Sequence, residues 1–374
     1  MTNPSDYLIA ERSGLKDAVS RLRDAGVFGF DTEFIRERSY VPELCLVQAA
    51  TDDFIALIDP YEVKLDEFWE LVADSDVEKI VHAGDQDFEM GYLQSGLAPS
   101  NIFDIQIAAG LVGLEYPLSF GRLVEEVTGE DIPQGKSYSD WSRRPLTDSQ
   151  MHYAVADAVH LLPARHELRK RLVERDRLDW LREEMAPLED ESTYAFDPAR
   201  RAARIKGSGN LSRRRLALLT ELVVWREEGA RRADLPPQTF LRDGVLVGIC
   251  REVPKTIRQL SEVRGFPRPV AHREGRRVLE IIRRIAEIPK SELPPAPRRV
   301  PSRVDDKPHV NELIKAGREI CEANDINPQL FASRSLYSEL YRLQMRGEDG
   351  DLPRLLRGWR GEFAGKKLAR MINN

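Results

Sequence analysis

The sequence predicts a mixed α/β domain followed by two small all-helical bundles, and three observations carry that expectation. Over the first ~180 residues, short apolar runs of strand length alternate with stretches whose apolar residues recur at helical spacing. From Leu211 to Ile288, and again from His309 to Asn374, the pattern is helical only. Between those stretches lies Leu293-Pro-Pro-Ala-Pro-Arg-Arg-Val-Pro301, a proline-rich tether expected to be extended.

In chain order, a helix is expected over Leu15–Ala25, then a buried strand over the apolar run Val27–Phe34. Strands Leu44–Ala50 and Phe54–Ile58 follow as a meander, then a helix over Leu65–Ala73 and a strand over Lys79–Ala83. Helices over Asp87–Gln94, Asp104–Leu111, Phe120–Thr128 and Thr147–Glu174 complete the α/β domain, residues 1–187. Periodicity is lost over residues 188–200, so residues 188–210 read as a linker. The first bundle spans 211–291 and is broken at Leu235-Pro-Pro237, Val253-Pro254 and Gly265-Phe-Pro267. Residues 292–308 read as a second, proline-rich linker and 309–374 as the second bundle.

At 374 residues the chain is too long for one core. It contains no apolar run of about 18 residues, which excludes a spanning helix, and its N-terminus lacks a signal-peptide pattern. Three widely spaced cysteines, Cys45, Cys250 and Cys321, fit reduced thiols in a cytoplasm rather than disulfides or a zinc site. A cytoplasmic location is expected, with no membrane association and no obligate protein partner. The net charge of −6 conceals a division. Residues 1–200 hold 20 Lys+Arg against 40 Asp+Glu (net −20), residues 201–300 hold 23 against 11 (net +12), and residues 301–374 hold 13 against 11 (net +2). An acidic half joined to a basic middle fits one module for chemistry and another for a polyanion, and equally two solvated surfaces of opposite sign.

Carboxylates at four positions are candidates for holding divalent metal. Asp31 and Glu33 end the first strand at i and i+2 and so share a face. Tyr153 and Asp157, four apart on a helix, share one as well. Asp87 opens another helix, where an acid is also expected simply because it favours the helix N-terminus. Mg²⁺ and Mn²⁺ prefer hard oxygen ligands, and two such ions can activate water against a phosphodiester. In that chemistry Asp31 lies between the ions, Glu33 and Asp157 complete one site, and Asp87 supports the other directly or through water. Tyr153, with an ordinary pKa near 10, suits orienting the attacking water better than acting as base.

The order of these residues and the stretches between them resemble ribonuclease D, of the tyrosine-containing branch of the DEDD exonuclease superfamily. Phe30-Asp-Thr-Glu-Phe34 resembles the first motif, Val81-His-Ala-Gly-Asp-Gln-Asp87 the second, with Asp87 rather than Asp85 at the ligand position, and Tyr153-Ala-Val-Ala-Asp157 the third. The intervening Arg36-Glu-Arg-Ser-Tyr-Val-Pro-Glu-Leu44, Leu57-Ile-Asp-Pro60 and Lys136-Ser-Tyr-Ser-Asp-Trp-Ser-Arg-Arg-Pro-Leu146 match too. Leu219, Trp225-Arg226, Pro237, Asp243, Leu246 and Pro254 through Gly265 are similar to the HRDC domain, and Leu356-Arg-Gly-Trp-Arg-Gly-Glu362 to the end of a second HRDC-like domain. One departure is Ile105 after Asp104, where the family commonly has threonine; that position is not a metal ligand.

The resemblance implies a ribonuclease H-like (DnaQ-like) exonuclease domain and two HRDC-type bundles. It implies a 3′→5′ exoribonuclease using two divalent ions, Mg²⁺ or Mn²⁺, to release nucleoside 5′-monophosphates. It also implies RNA as partner, especially the 3′ ends of tRNA precursors. Catalytic residues are then Asp31, Glu33, Asp87, Tyr153 and Asp157, the four acids being the metal ligands. Lys136, Arg143 and Arg144, in the loop before the third motif, are candidate RNA contacts or simply solvated. Trp141 is expected to be a packing anchor, Asp104 a helix cap, His82 a hydrogen-bonded structural residue and His160 incidental. Arg213-Arg-Arg215, Arg276-Arg277 and Arg283-Arg284 are either an RNA-facing stripe or exposed helix faces. A proofreading-type DNA exonuclease uses the same four acids, and a non-catalytic RNA-binding protein keeps the same fold; the tail signature and the HRDC pair favour ribonuclease D.

Overall fold

The computed structural model describes residues 4–132, 139–294, 306–346 and 352–372. They form two compact units, one from the described residues of 1–34, 44–194 and 301–374, the other from 35–43 and 195–300.

The first unit is built on a six-stranded sheet ordered β1-β4-β3-β2-β5-β6. Its strands and helices in chain order are β1 (Leu8–Ile9), α1 (Arg12–Ala25), β2 (Val27–Ile35), β3 (Glu43–Ala50), β4 (Ile55–Ile58), α2 (Asp66–Ala73), β5 (Glu78–Val81), α3 (Asp85–Ser95) and β6 (Ile102–Asp104). Helices α4 (Ile105–Leu111), α5 (Phe120–Thr128), α6 (Asp148–Val159), α7 (Leu161–Glu174) and α8 (Leu178–Glu189) follow. Strand β4 runs antiparallel to β3 and parallel to β1, while β2, β5 and β6 are parallel, so the sheet is mixed as expected. Strands β1 and β6 escape the sequence reading because two and three residues display no periodicity. The single helix expected over Thr147–Glu174 is two, divided at His160. Pro163 lacks an amide proton and is accommodated in the first turn of a new helix rather than mid-helix.

Strand β2 sets the geometry. Phe28 and Phe30 are buried against Phe68 of α2 and Phe88 of α3, with ring centroids 5.8–6.0 Å apart. Gly29 faces the opposite way, where a Cβ would lie 2.6 Å from Cβ of Leu161 on α7. Strand alternation therefore commits Asp31 and Glu33 to the side of the sheet that α7 covers, and Thr32 to the side of α3.

In the second unit, α9 (Pro198–Arg204) lies within the span expected to be a linker. Asp197 caps it by accepting from the amides of Ala199 (2.9 Å) and Arg200 (3.0 Å), and Pro198 opens it. Its Ala202 is buried in the same core as α10 (Arg213–Ala233), α11 (Pro237–Phe240), α12 (Asp243–Glu252), α13 (Ile257–Glu262) and α14 (Arg268–Glu287). Arg226, wholly buried on α10, pairs with Asp243 at 2.6 Å. The arginines read as either an RNA-facing stripe or exposed helix faces are partly engaged within this unit. Arg213 and Arg214 donate to carbonyls at the end of α14 and just beyond it, from Ile285 to Pro294, and Arg277 and Arg284 pair with Glu228 and Glu221. Of the seven, Arg215, Arg276 and Arg283 stay exposed without such an ion pair among the described residues. Within this unit Tyr40 is fastened to α10, donating to Glu227 (2.6 Å) and accepting from Arg231 (3.1 Å).

Helices α15 (Asp306–Glu322), α16 (Pro328–Phe331) and α17 (Arg334–Arg346) belong to the first unit, as does α18 (Gly358–Arg360), which continues through a π turn into α19 (Lys366–Ile372). They share one core with the sheet. Asn327 bonds to the carbonyls of Gly110 and Leu114, each at 2.9 Å, and Arg177 donates to the carbonyls of Leu111 (2.7 Å) and Asp325 (2.8 Å). Among the described residues no helix is long and apolar enough to cross a membrane.

Candidate active site

Asp31, Glu33 and Asp157 converge: one carboxylate oxygen from each lies within 4.8 Å of the other two. The first two arrive from β2 and the third from α6, whose start is defined by a capping box between Thr147 and Gln150. Asp31 is held by Gln48 of β3, whose Nε2 donates to Oδ2 at 2.7 Å. Gln48 is fully buried, and its Oε1 has no hydrogen-bond partner among the described residues. The Tyr153 hydroxyl, one turn before Asp157, donates to the Asp157 carboxylate.

Asp87 reaches the neighbourhood from the first turn of α3 but is not one of the converging three. Its Oδ1 accepts from the Thr32 amide at 3.1 Å and from the Thr32 hydroxyl. The turn that launches α3 is clamped in turn by Asp104, which accepts from the amides of Ala83 and Gly84 (3.2 Å each) while capping α4 through Gln106 and Ile107. Asp104 is thus the cap expected, and it positions Asp87 besides.

The electrostatics are those of buried carboxylates that repel one another. Burial, then repulsion from Asp157, pushes Asp31 up to about 7. Burial, then Asp31, Asp157 and Asp87, pushes Glu33 up to about 9. Burial raises Asp157 to about 6 against the opposing hydrogen bond from Tyr153, and burial with Asp31 raises Asp87. Tyr153 is itself raised above its ordinary value, by burial and then by Asp157. Hard oxygens that repel one another from three directions fit a divalent metal, whose charge would reverse each of these shifts.

The remaining expectations divide. Lys136 lies outside the described residues. Arg143 is exposed and paired with Asp140 at 3.2 Å. All five N–H donors of Arg144 are engaged by Asp59 and by the carbonyls of Cys45, Trp141 and Arg143. Trp141 is buried with its ring centroid 6.0 Å from that of Tyr153. His82 bonds to the Leu118 carbonyl at 3.0 Å, and His160 Nδ1 lies 3.1 Å from a Glu130 carboxylate oxygen. Gln48 and Thr32 were missed. A lone glutamine within the buried run Leu44–Ala50 was the available signal, since a polar group placed there must have a partner.

Residues 8–173 match a 3′-5′ exonuclease family, and residues 215–282 match the HRDC domain. Ribonuclease D of Granulibacter bethesdensis is 37% identical over 378 residues, spanning 99% of this chain and 93% of that protein. Ribonuclease D of Gluconacetobacter diazotrophicus is 35% identical over 366 residues, spanning 96% and 90%. The crystal structure of Escherichia coli RNase D, described as an exoribonuclease involved in structured RNA processing, matches with a TM-score of 0.86 at 26% identity over 98% of both chains. A likeness of this extent places the chain in the ribonuclease D family of 3′→5′ exoribonucleases.

Proposed function

We propose that this hydrolase trims 3′ extensions from tRNA precursors and other stable RNAs in the cytoplasm, releasing nucleoside 5′-monophosphates. Two divalent ions, Mg²⁺ or Mn²⁺, would be held by Asp31, Glu33 and Asp157 with Asp87 in support. The observation that carries the reading is the convergence of three carboxylates within 4.8 Å beside a tyrosine hydroxyl. When bound, such ions supply Lewis-acid activation of water and of the scissile phosphate.

The chain's own residues do the positioning. Gln48 fixes one oxygen of Asp31, leaving the other for ligation. Tyr153 stays protonated, because burial and Asp157 both oppose its ionisation, so it orients the attacking water and does not remove its proton. Water adds to the last phosphodiester, the 3′ oxygen of the preceding nucleotide leaves, and that oxygen takes up a proton. Residues 201–300, with a net charge of +12, attract the RNA body. The buried cysteines Cys45, Cys250 and Cys321 fit a reducing compartment.

The test compares a 3′-extended tRNA with single-stranded DNA, with EDTA as control. Asp31→Asn and Asp157→Asn are expected to abolish mononucleotide release. Faster degradation of DNA overturns the substrate assignment, and full activity in either variant overturns the site.

A further inference from the structure

We infer that Arg144 and Asp59 form a buckle that positions Tyr153 through Trp141, making Arg144 a positioning residue for hydrolysis and not a phosphate contact. Tyr153 is half-buried on α6, and the indole of Trp141 leans on its ring at 44°. Trp141 comes from the segment just before α6, so something must hold that segment still. Arg144 does so. Its Nη1 donates to the Trp141 carbonyl at 2.8 Å. Its Nε and Nη2 grip the buried Asp59 carboxylate as a fork, at 2.5 and 2.9 Å. The same Nη2 donates to the carbonyl of Cys45 at 2.7 Å, and the guanidinium lies 4.6 Å from the ring centroid of Tyr61.

Asp59 follows β4, and Cys45 lies on β3 three residues before Gln48, the residue that holds Asp31. One guanidinium therefore references the Trp141 wall to the strand that fixes Asp31. The hydroxyl of Tyr153 and the carboxylate of Asp31 are aligned through a common frame. Only arginine offers a planar fork with donors left over for backbone carbonyls; lysine keeps the charge and loses the geometry. A phosphate could reach this guanidinium only by breaking bonds that the fold already makes. The inference rests on the water-orienting role proposed for Tyr153.

The experiment is a double-mutant cycle in the full-length protein: wild type, Arg144→Lys, Tyr153→Phe and the pair, assayed for kcat and KM on a single-stranded RNA oligonucleotide with Mg²⁺. Mn²⁺ affinity by calorimetry and thermal unfolding are followed in each. Arg144→Lys is expected to lower kcat by about 10-fold or more with KM and Mn²⁺ affinity unchanged. In the Tyr153→Phe background it is expected to cause no further loss. A raised KM with unchanged kcat, or an equal loss in both backgrounds, overturns the buckle, since direct phosphate contact gives the first and a general structural role the second. Trp141→Phe enters the same cycle with the same expected non-additivity, and carries the test should Arg144→Lys fail to fold. A slow Tyr153→Phe enzyme with additive partners overturns this inference alone. A Tyr153→Phe enzyme as fast as wild type overturns the role of Tyr153 and the buckle together.

Discussion

Thr32 sits between Asp31 and Glu33 on β2 yet faces the other side of the sheet, where its amide and hydroxyl both donate to Oδ1 of Asp87. The strand thus projects two acids on one face and ties down a third on the other, binding α3 to the site strand.

Thr32→Val keeps shape and removes the hydroxyl donor, leaving a buried carboxylate short of a partner. A stability loss of about 1–3 kcal/mol is expected, together with a fall in kcat of about 10-fold as Asp87 shifts. Denaturant unfolding and steady-state kinetics on an RNA oligonucleotide measure both; wild-type kcat in this variant would refute a functional part for the Thr32–Asp87 pair.

Gln48→Leu tests the hold on Asp31, in metal binding as well as in stability. The substitution removes the donor to Asp31, and loss of such a supporting bond weakens metal affinity by about 10-fold to 100-fold. Folding is expected to lose about 1–3 kcal/mol, because Asp31 is left short of a donor, whereas the Oε1 removed with it has no partner among the described residues. Calorimetric titration with Mn²⁺ reads the first, and unchanged affinity would show that Gln48 merely fills the strand.

Metal-free protein is expected to lose stability as pH rises. Asp31, Asp157 and Glu33 are raised to about 7, 6 and 9, chiefly by burial and then, for Asp31 and Glu33, by neighbouring acids. The unfolded chain releases these protons near pH 4 while the folded chain retains them, so stability falls across the window from about pH 4 to about pH 9. Thermal unfolding in EDTA at about pH 5.5 and about pH 8 checks the slope. Glu33→Gln should flatten it and Mg²⁺ should restore the alkaline loss in wild type; an equal slope in both proteins would remove Glu33 as its source.

The docking of the C-terminal helices depends on Glu184 of α8. Burial alone would raise its carboxyl; Arg360 and the Trp359 Nε1 (2.7 Å) overcome that and hold it below the usual range. Arg360 also donates to the carbonyl of Phe331 at 2.8 Å. Arg360→Met leaves the buried carboxylate with only Arg354 (2.9 Å) and the Trp359 indole and should cost about 1–3 kcal/mol, read by denaturant unfolding. Because the carboxyl is depressed, the pair stabilises above its unfolded pKa of about 4.5 and fails as pH falls below it. A variant as stable as wild type would place the docking energy elsewhere.

Much of the site was legible in local spacing. Asp31 and Glu33 share a strand face, and Tyr153 and Asp157 share a helix face, because periods of two and about four are properties of the backbone itself. The start of α9 was also written in Asp197-Pro198, although its residues read as linker. Its single buried turn, at Ala202, was too short a pattern to announce a core. Arg144 was illegible for the opposite reason: an arginine in a polar segment has the same local pattern whether it meets phosphate or Asp59.

The sequence by itself determined which acids exist, which pairs share a face, and which family the order of motifs resembles, since these depend on neighbours a few residues away. The tertiary structure decided the distances between faces. Phe28 and Phe30 commit β2 to one orientation, and Gly29 admits α7 close against it. That packing brings Asp157 to Asp31 and Glu33, turns Arg144 inward to hold Trp141, and gives the C-terminal helices the core of the nuclease sheet to share. An apolar face in the sequence states that it must be covered; only the folded chain states by what.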